Sequence, residues 1–257
     1  PDCKINGGYN PGWPASSQYV VAVGATSGIV SPNTTPGKEV ACASNTGGGI
    51  TSGGGFSALT SRPVWQDASV TPYLLQHKPV AGYAVGGRGY PDISLLGASY
   101  FVVVNDYAVA LSGTSASTPS LAGMVSLINA ERKALGKSTL GLLTIAMYES
   151  ASNGKQPSWA TDITSGDNKC VRQDTASVPP TCCKQGYNAT VGWDPVTGFG
   201  VPKFGTFYNY FSNLGPAGPK TYKPTMAPTA APTLAPNTLA PHLQPTLLPT
   251  LVPTRAP

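Results

Sequence analysis

Ser112-Gly113-Thr114-Ser115-Ala116-Ser117-Thr118-Pro119 separates a mostly apolar run, residues 101–111, from a second apolar segment, residues 121–135. That order predicts strand, tight turn and helix. Small residues at such a turn let a backbone approach a ligand closely. The first amides of the following helix have no partner inside it and carry partial positive charge. A hydroxyl placed there can become a nucleophile, and Ser115 is the candidate: the dipole favours charge developing on its oxygen, and its own amide can donate to an oxyanion. Serine and threonine ahead of an apolar run are also ordinary N-caps, and Pro119 suits a first turn if the cap lies near Ser117.

Around this stretch the composition bounds the chain. Its 257 residues are 40% hydrophobic, enough for a packed core, and only 11% charged. The formal net charge is +5, but no basic cluster stands out beyond Arg132-Lys133, so we expect no nucleic-acid partner. No apolar run is long enough to span a bilayer, and we expect no transmembrane segment. The chain opens on Pro1 without a signal-like apolar region, which reads as a processed or partial chain. Five cysteines, Cys3, Cys42, Cys170, Cys182 and Cys183, lack zinc spacing and point to disulfides, the odd count leaving one thiol over or implying a partner outside this chain. Asn33-Thr34-Thr35 and Asn188-Ala189-Thr190 are glycosylation sequons that, with the cysteines, favour a secretory route.

Along the chain, residues 19–25 predict a short valine-rich strand. Two triple-glycine runs, 47–49 and 53–55, could cradle phosphate, but neither has the Lys-Ser/Thr or the strand-loop-helix setting that chemistry needs. Residues 61–73 predict a short helix containing Trp65. Residues 92–96 and 100–104 predict buried strands, followed by a turn at Asn105-Asp106 and a third run, 107–111, that leads to Ser115. Leu121, Met124, Val125, Leu127, Ile128 and Leu135 recur at helical spacing as a core stripe, with Gly136 as the stop. Residues 140–150 predict a second helix, packed by Leu142, Leu143, Ile145 and Met147. From Gly215 prolines recur about every four residues, and 215–257 predict a disordered Pro/Thr-rich tail or linker beside a domain of residues 1–214.

Catalysis by Ser115 needs a base. The only histidines are His77, in a polar stretch that reads as an exposed loop, and His242, in the tail. Upstream of Ser115 the acids are Asp2, Glu39, Asp67, Asp92 and Asp106, and no two have the spacing that places carboxylates on one helix face.

Several blocks together resemble one family. Ser112 to Pro119 with Leu121-Ala122-Gly123, Trp13-Pro14-Ala15-Ser16-Ser17, Tyr19-Val20 with Val23-Gly24, Ser52-Gly53-Gly54-Gly55-Phe56-Ser57, Gly87-Arg88-Gly89-Tyr90-Pro91-Asp92, and Gly192 to Gly200 are similar, in order, to motifs of the sedolisins. These are serine-carboxyl peptidases with the subtilisin fold, among them the tripeptidyl peptidases. The resemblance implies an α/β, subtilisin-like fold, a mostly parallel sheet flanked by helices, of which this chain supplies the C-terminal part.

It further implies a serine-type acid peptidase, endo- or tripeptidyl, acting on peptides or unfolded proteins through an acyl-enzyme on Ser115. The family's Glu and Asp pair and its oxyanion Asp precede the block matching Trp13-Pro14, so they are expected on the missing N-terminal part of the same protein; Asp2 lacks the family's Gly-Asp-Ser-Gly setting. Asp162-Ile163 and Gly192-Trp193-Asp194 resemble the family's Ca²⁺ site. Asp162 and Asp194 would give carboxylates and Ile163, Thr190 and Gly192 carbonyls, with Thr190 where the family often has glycine. The alternative is that both aspartates cap turns, Asp194 before Pro195. The resemblance also implicates Cys3 in a disulfide with the Cys170 to Cys183 loop, and a secreted or lysosome-like acidic location. The rival readings are a non-catalytic subtilisin-fold binding module and an extracellular structural protein.

Overall fold

The computed structural model describes residues 9–28, 38–151, 154–171 and 179–215. The Pro/Thr-rich tail apart from Gly215, His242, the Asn33 sequon, Asp2 and Cys3 lie outside the described residues.

The architecture is α/β. Its centre is a parallel pair, β1 (Val23–Ser27) and β5 (Ile93–Leu96), in register Val23↔Ile93 to Thr26↔Leu96, with β2 (Val40–Ala41) antiparallel on the other edge of β1. The remaining pairings among the described residues are antiparallel: β3 (Gly55–Ser61) with β4 (Gly87–Tyr90), β6 (Tyr100–Val104) with β7 (Tyr107–Leu111), β8 (Ala160–Thr161) with β11 (Val201–Pro202), and β9 (Cys170–Val171) with β10 (Thr181–Cys182). Among the described residues four α-helices accompany these strands: α1 (Asp67–His77), α2 (Thr114–Ala134), α3 (Leu143–Ser150) and α4 (Phe204–Asn213).

The core gathers Phe56, Ile93, Leu121, Ile128, Met147 and Trp159 with the aromatic face of α4. Phe207 and Phe211, four apart and therefore on one helix face, meet Trp159 edge to face with ring centroids 5.4 and 5.5 Å away. The α2 stripe is narrower than its sequence suggests. Leu121 and Ile128 are buried, but Leu127 and Leu135 are about half exposed. One turn beyond Ile128 the buried position is held by Arg132, whose guanidinium donates to the carbonyls of Ser138, Phe211 and Leu214 at 2.7, 3.0 and 2.8 Å. A cation there meets the orphan carbonyls at the end of α4, where the helix dipole is negative. Gly136, at φ +70°, lies just past the end of α2 as expected.

Two expectations are corrected. Residues 100–104 do form a strand, but not a buried one. The β6–β7 pair is a two-stranded hairpin turning at Asn105-Asp106, and Phe101 and Val103 are 76% and 75% exposed. Only the face bearing Tyr100, Val102 and Val109 is partly covered. His77 is not in a loop: it is the last residue of α1, exposed, its ring 5.2 Å from that of Tyr73.

Two of the three glycines at 53–55 have a packing cause, while Gly53 faces open space. A Cβ on Gly54 would run into the carbonyl of Pro195, and Gly55 combines φ +146° with a Cβ position 3.0 Å from the Tyr187 ring. Neither position tolerates a side chain, and no phosphate is needed to explain them.

Candidate functional site

Ser115 is the second residue of α2 and is exposed. The helix begins earlier than a cap at Ser117 would give. Gly113 is its N-cap, and Pro119 falls in the second turn, where its missing amide leaves the Ser115 carbonyl without the usual helical donor.

The helix start is held against the end of β5. The Gly113 amide donates to the Gly97 carbonyl at 2.7 Å. Ser117, buried, donates its hydroxyl to the carbonyls of Leu95 and Leu96 at 3.0 and 3.2 Å. A Cβ on Gly97 would lie 2.7 Å from both the Ala25 Cβ and the Ser117 Oγ, so the approach requires glycine. Among the described residues nothing hydrogen-bonds the Ser115 hydroxyl. With Tyr100, Val102, Leu111, Ser112, Pro119 and Ser120 it lines a cavity of about 600 Å³.

The carboxylates that precede Ser115 are engaged elsewhere. Asp67 pairs with Arg62 Nε at 2.7 Å, Glu39 accepts from the Thr26 hydroxyl at 2.6 Å, and Asp106 lies in the hairpin turn. Asp92 is fully buried. Its Oδ2 accepts from the Ala22 amide and from Arg88 Nη2, each at 2.7 Å, and its Oδ1 from the Tyr148 hydroxyl at 3.0 Å. Burial pushes this carboxyl up, and the Arg88 charge beside it pulls back. Gln66 closes the network by donating to the Tyr148 hydroxyl and the Gly89 carbonyl, both at 2.8 Å. Sequence reasoning did not identify this cluster; the signal was an arginine and an aspartate four apart within Gly87-Arg88-Gly89-Tyr90-Pro91-Asp92.

The expected metal-binding residues are brought together in two linked pairs. Asp162 Oδ2 accepts from the Gly192 amide at 2.8 Å, and Asp194 Oδ2 from the Thr190 amide at 2.9 Å. Asp194 also takes the amides of Val196 and Thr197, each at 2.9 Å, which is the turn-capping role. Its carboxyl is pushed up to about 8 by burial, against those amides and with the charge of Asp162 adding to the rise. Burial likewise raises Asp162. Asp162 Oδ1 is buried with no partner, and the carbonyls of Ile163, Thr190 and Gly192 accept no hydrogen bond among the described residues. Unused hard oxygens beside two desolvated carboxylates fit a Ca²⁺ ion. No group of three or more His, Cys, Asp or Glu that could hold a metal occurs among the described residues, so a metal at these two aspartates would need backbone oxygens as further ligands.

Cys170 is bonded to Cys182 across the β9–β10 pair, and Cys183 is disulfide-bonded as well. Cys3, implicated with this loop by the resemblance, lies outside the described residues. Cys42 is the free thiol left among the described cysteines, and it is buried. No helix of the described residues is long and apolar enough to cross a membrane.

Comparison with known proteins agrees with this geometry. The Subtilase family (Peptidase_S8) matches residues 3–166. Tripeptidyl-peptidase 1 of Dictyostelium discoideum is 35% identical over 206 residues, covering 79% of this chain and 30% of its own length. Physarolisin of Physarum polycephalum is 33% identical, covering 79% and 37%, and tripeptidyl-peptidase 1 of Homo sapiens is 37% identical, covering 76% and 32%. The chain thus spans about a third of the length of the curated relatives it matches. A solved structure of Pseudomonas sedolisin, a serine-carboxyl proteinase complexed with two molecules of pseudo-iodotyrostatin, aligns with a TM-score of 0.54 at 27% identity, over 77% of this chain and 47% of that one. With its subtilisin-like core, its Ser115 turn and these relatives, the chain belongs to the subtilase family, in the sedolisin and tripeptidyl-peptidase-like branch.

Proposed function

We propose that the protein carrying this chain is a serine-type acid peptidase in which Ser115 is the nucleophile. The observation that carries the reading is an exposed hydroxyl in the first turn of a 21-residue helix, beside a cavity and with no hydrogen-bond partner among the described residues. Ser115 Oγ attacks the scissile carbonyl carbon as its proton passes to a carboxylate base. The Ser115 amide and the α2 dipole stabilise the oxyanion. Collapse breaks the C–N bond, the amine leaves with the proton, and water then hydrolyses the acyl-enzyme.

The base and a further oxyanion donor are assigned to parts of the polypeptide outside this chain. Of the described carboxylates preceding Ser115, Glu39, Asp67 and Asp92 are committed to other partners and Asp106 lies in the hairpin turn, and the match covers only 30–37% of the relatives' own length. A carboxylate base in a pair that shares a proton works best at acid pH. Peptides or unfolded proteins are the substrates. Ca²⁺, held by Asp162, Asp194 and the carbonyls of Ile163, Thr190 and Gly192, would neutralise a buried pair of charges and fix the 190–194 loop, a structural contribution. The Cys170–Cys182 disulfide and the exposed Asn188 sequon support a secreted or acidic-compartment location with a glycan on Asn188.

The test is cleavage of an unfolded protein by the complete gene product at about pH 4 and about pH 7, on either side of most carboxylate pKa values, with Ser115→Ala in parallel. Cleavage that is faster at acid pH and abolished by Ser115→Ala is expected. A complete protein that binds peptides but does not cleave them, with calcium present and any pro-segment released, would instead be a non-catalytic binding module.

A further inference from the structure

We infer that Asn188 receives its glycan only while residues 188–197 are still open, and that the folded protein is not an acceptor. The inference rests on the reading of the Asn188 sequon as glycosylated on a secretory route, and adds when that modification happens and what closes the site.

Transfer of an N-glycan joins the asparagine side-chain nitrogen to the anomeric carbon of an oligosaccharide carried on a lipid diphosphate. The diphosphate leaves, and the nitrogen gives up a proton. The transferring enzyme also reads the hydroxyl two residues on, so the acceptor is Asn-X-Ser/Thr and both side chains must reach it. Asn188 meets its half of that requirement. It is exposed, its Oδ1 accepts from Lys169 Nζ at 2.7 Å, and none of the described residues hydrogen-bonds its Nδ2. A glycosylated asparagine keeps its carbonyl oxygen, so the Lys169 contact is compatible with a sugar on Nδ2.

Thr190 does not meet the other half. Its hydroxyl oxygen is buried with no partner among the described residues, and its amide donates to Asp194 Oδ2 at 2.9 Å. The backbone between is tied down as well. Ala189 is 7% exposed, and its amide donates to the Gly166 carbonyl at 2.9 Å. Asn188 is bridged to Asp167, and its carbonyl accepts from the Tyr73 hydroxyl at 3.4 Å. Just before it, the Tyr187 amide donates to Asn168 Oδ1 at 2.7 Å. An enzyme seeking the hydroxyl would have to lift this segment off residues 166–168 and turn Thr190 outward. In the growing chain nothing holds it yet. The acceptor is complete at Thr190, four residues before Asp194 is added, and Val196 and Thr197, whose amides fix the Asp194 carboxylate, come later still.

The test compares one sequence in two states. The complete gene product, made without glycans in the oxidising bacterial periplasm, is offered folded and then denatured to a solubilised oligosaccharyltransferase with its lipid-linked donor. Occupancy of Asn188 is read by mass spectrometry of the peptide that contains it. Transfer to the folded protein is expected to be at least about tenfold slower, because it waits on local opening of the segment. Thr190→Ala should remove transfer in both states, and Thr190→Ser, which keeps a hydroxyl, should preserve the contrast. Equal rates in the two states overturn the inference. Protein secreted by eukaryotic cells, in which transfer precedes folding, should carry the glycan. If Asn188 is bare there while the denatured protein accepts and the folded one does not, the closed site stands and the glycan reading falls. If it is occupied there but both states accept equally, the reverse holds. No transfer even to the denatured protein removes both.

Discussion

The Ser117 hydroxyl and the Leu95 carbonyl are 3.0 Å apart and hydrogen-bonded, so α2 is fastened to the end of the central parallel strand two residues from Ser115. The bond is buried and spans 22 residues of sequence. It fixes where the helix starts, and with it the direction of the nucleophile candidate.

Ser117→Ala leaves the Leu95 and Leu96 carbonyls without this donor in a site closed to water. A loss of about 1–3 kcal/mol in unfolding free energy is expected, read from the denaturant midpoint. Ser117→Thr, which keeps the hydroxyl, should recover part of it. An alanine variant as stable as the parent would mean that the hydroxyl plays no part in fastening the helix.

Arg88 and Asp92 form the one ion pair among those described in which both side chains are fully buried. Replacing a buried ion pair by apolar residues is often tolerated, but removing one partner strands the other charge. Asp92→Leu should therefore cost about 3–5 kcal/mol, more than Arg88→Met with Asp92→Leu together. Thermal unfolding of the two single variants and the double variant forms the cycle. A double variant no better than the worse single one would show that the ion pair is not the unit that matters.

The turn from strand to helix at Ser115 and the stop at Gly136 were legible because each depends on local rules, periodicity, helix ends and glycine conformations, whereas the α/β class followed from the family resemblance. Three features were not. Arg132 occupies a core position that a hydrophobic stripe assigns to an apolar residue, and the carbonyl of Ser138 together with those at the end of α4, some 80 residues on, explains it. The β6–β7 hairpin has the apolar content of a buried strand, but its outward residues face no described element. The Arg88–Asp92 network joins β4 and β5 to α3 and to the backbone just before β1, and the Tyr148 that completes it lies 56 residues away. Candidate metal residues were found through family resemblance, since two aspartates about thirty residues apart carry no periodic signal.

Cys42 is buried against the 47–50 loop, its thiol 3.4 Å from the Ile50 carbonyl. Burial pushes its pKa up to about 11. At mildly alkaline pH the thiolate is then rarer than in a free cysteine by about two orders of magnitude. Alkylation followed by mass spectrometry of the peptide containing Cys42 should show labelling at least about a hundredfold slower in the folded protein than in denaturant. Rapid labelling of the folded protein would show that the thiol is open to solvent or that its acidity is not suppressed.

Asp194 gives a pH dependence whose sign separates the metal-free state from a calcium-bound one. Its folded pKa, about 8, lies above the ordinary carboxylate value of 3.8. The folded state therefore holds a proton that the unfolded chain has already released. Stability from this group is fully present below about pH 4 and is lost as pH rises towards about 8. Protein stripped with a chelator should then melt at progressively lower temperature across that window. Calcium favours the ionised carboxylates, so its binding should release protons, tighten as pH rises and flatten or reverse the slope. Asp162→Asn keeps the side-chain shape while removing one charge. It should raise the melting temperature of the chelated protein and abolish the gain from calcium. If the chelated protein is instead most stable near neutral pH and calcium shifts nothing, the two aspartates act only as turn caps.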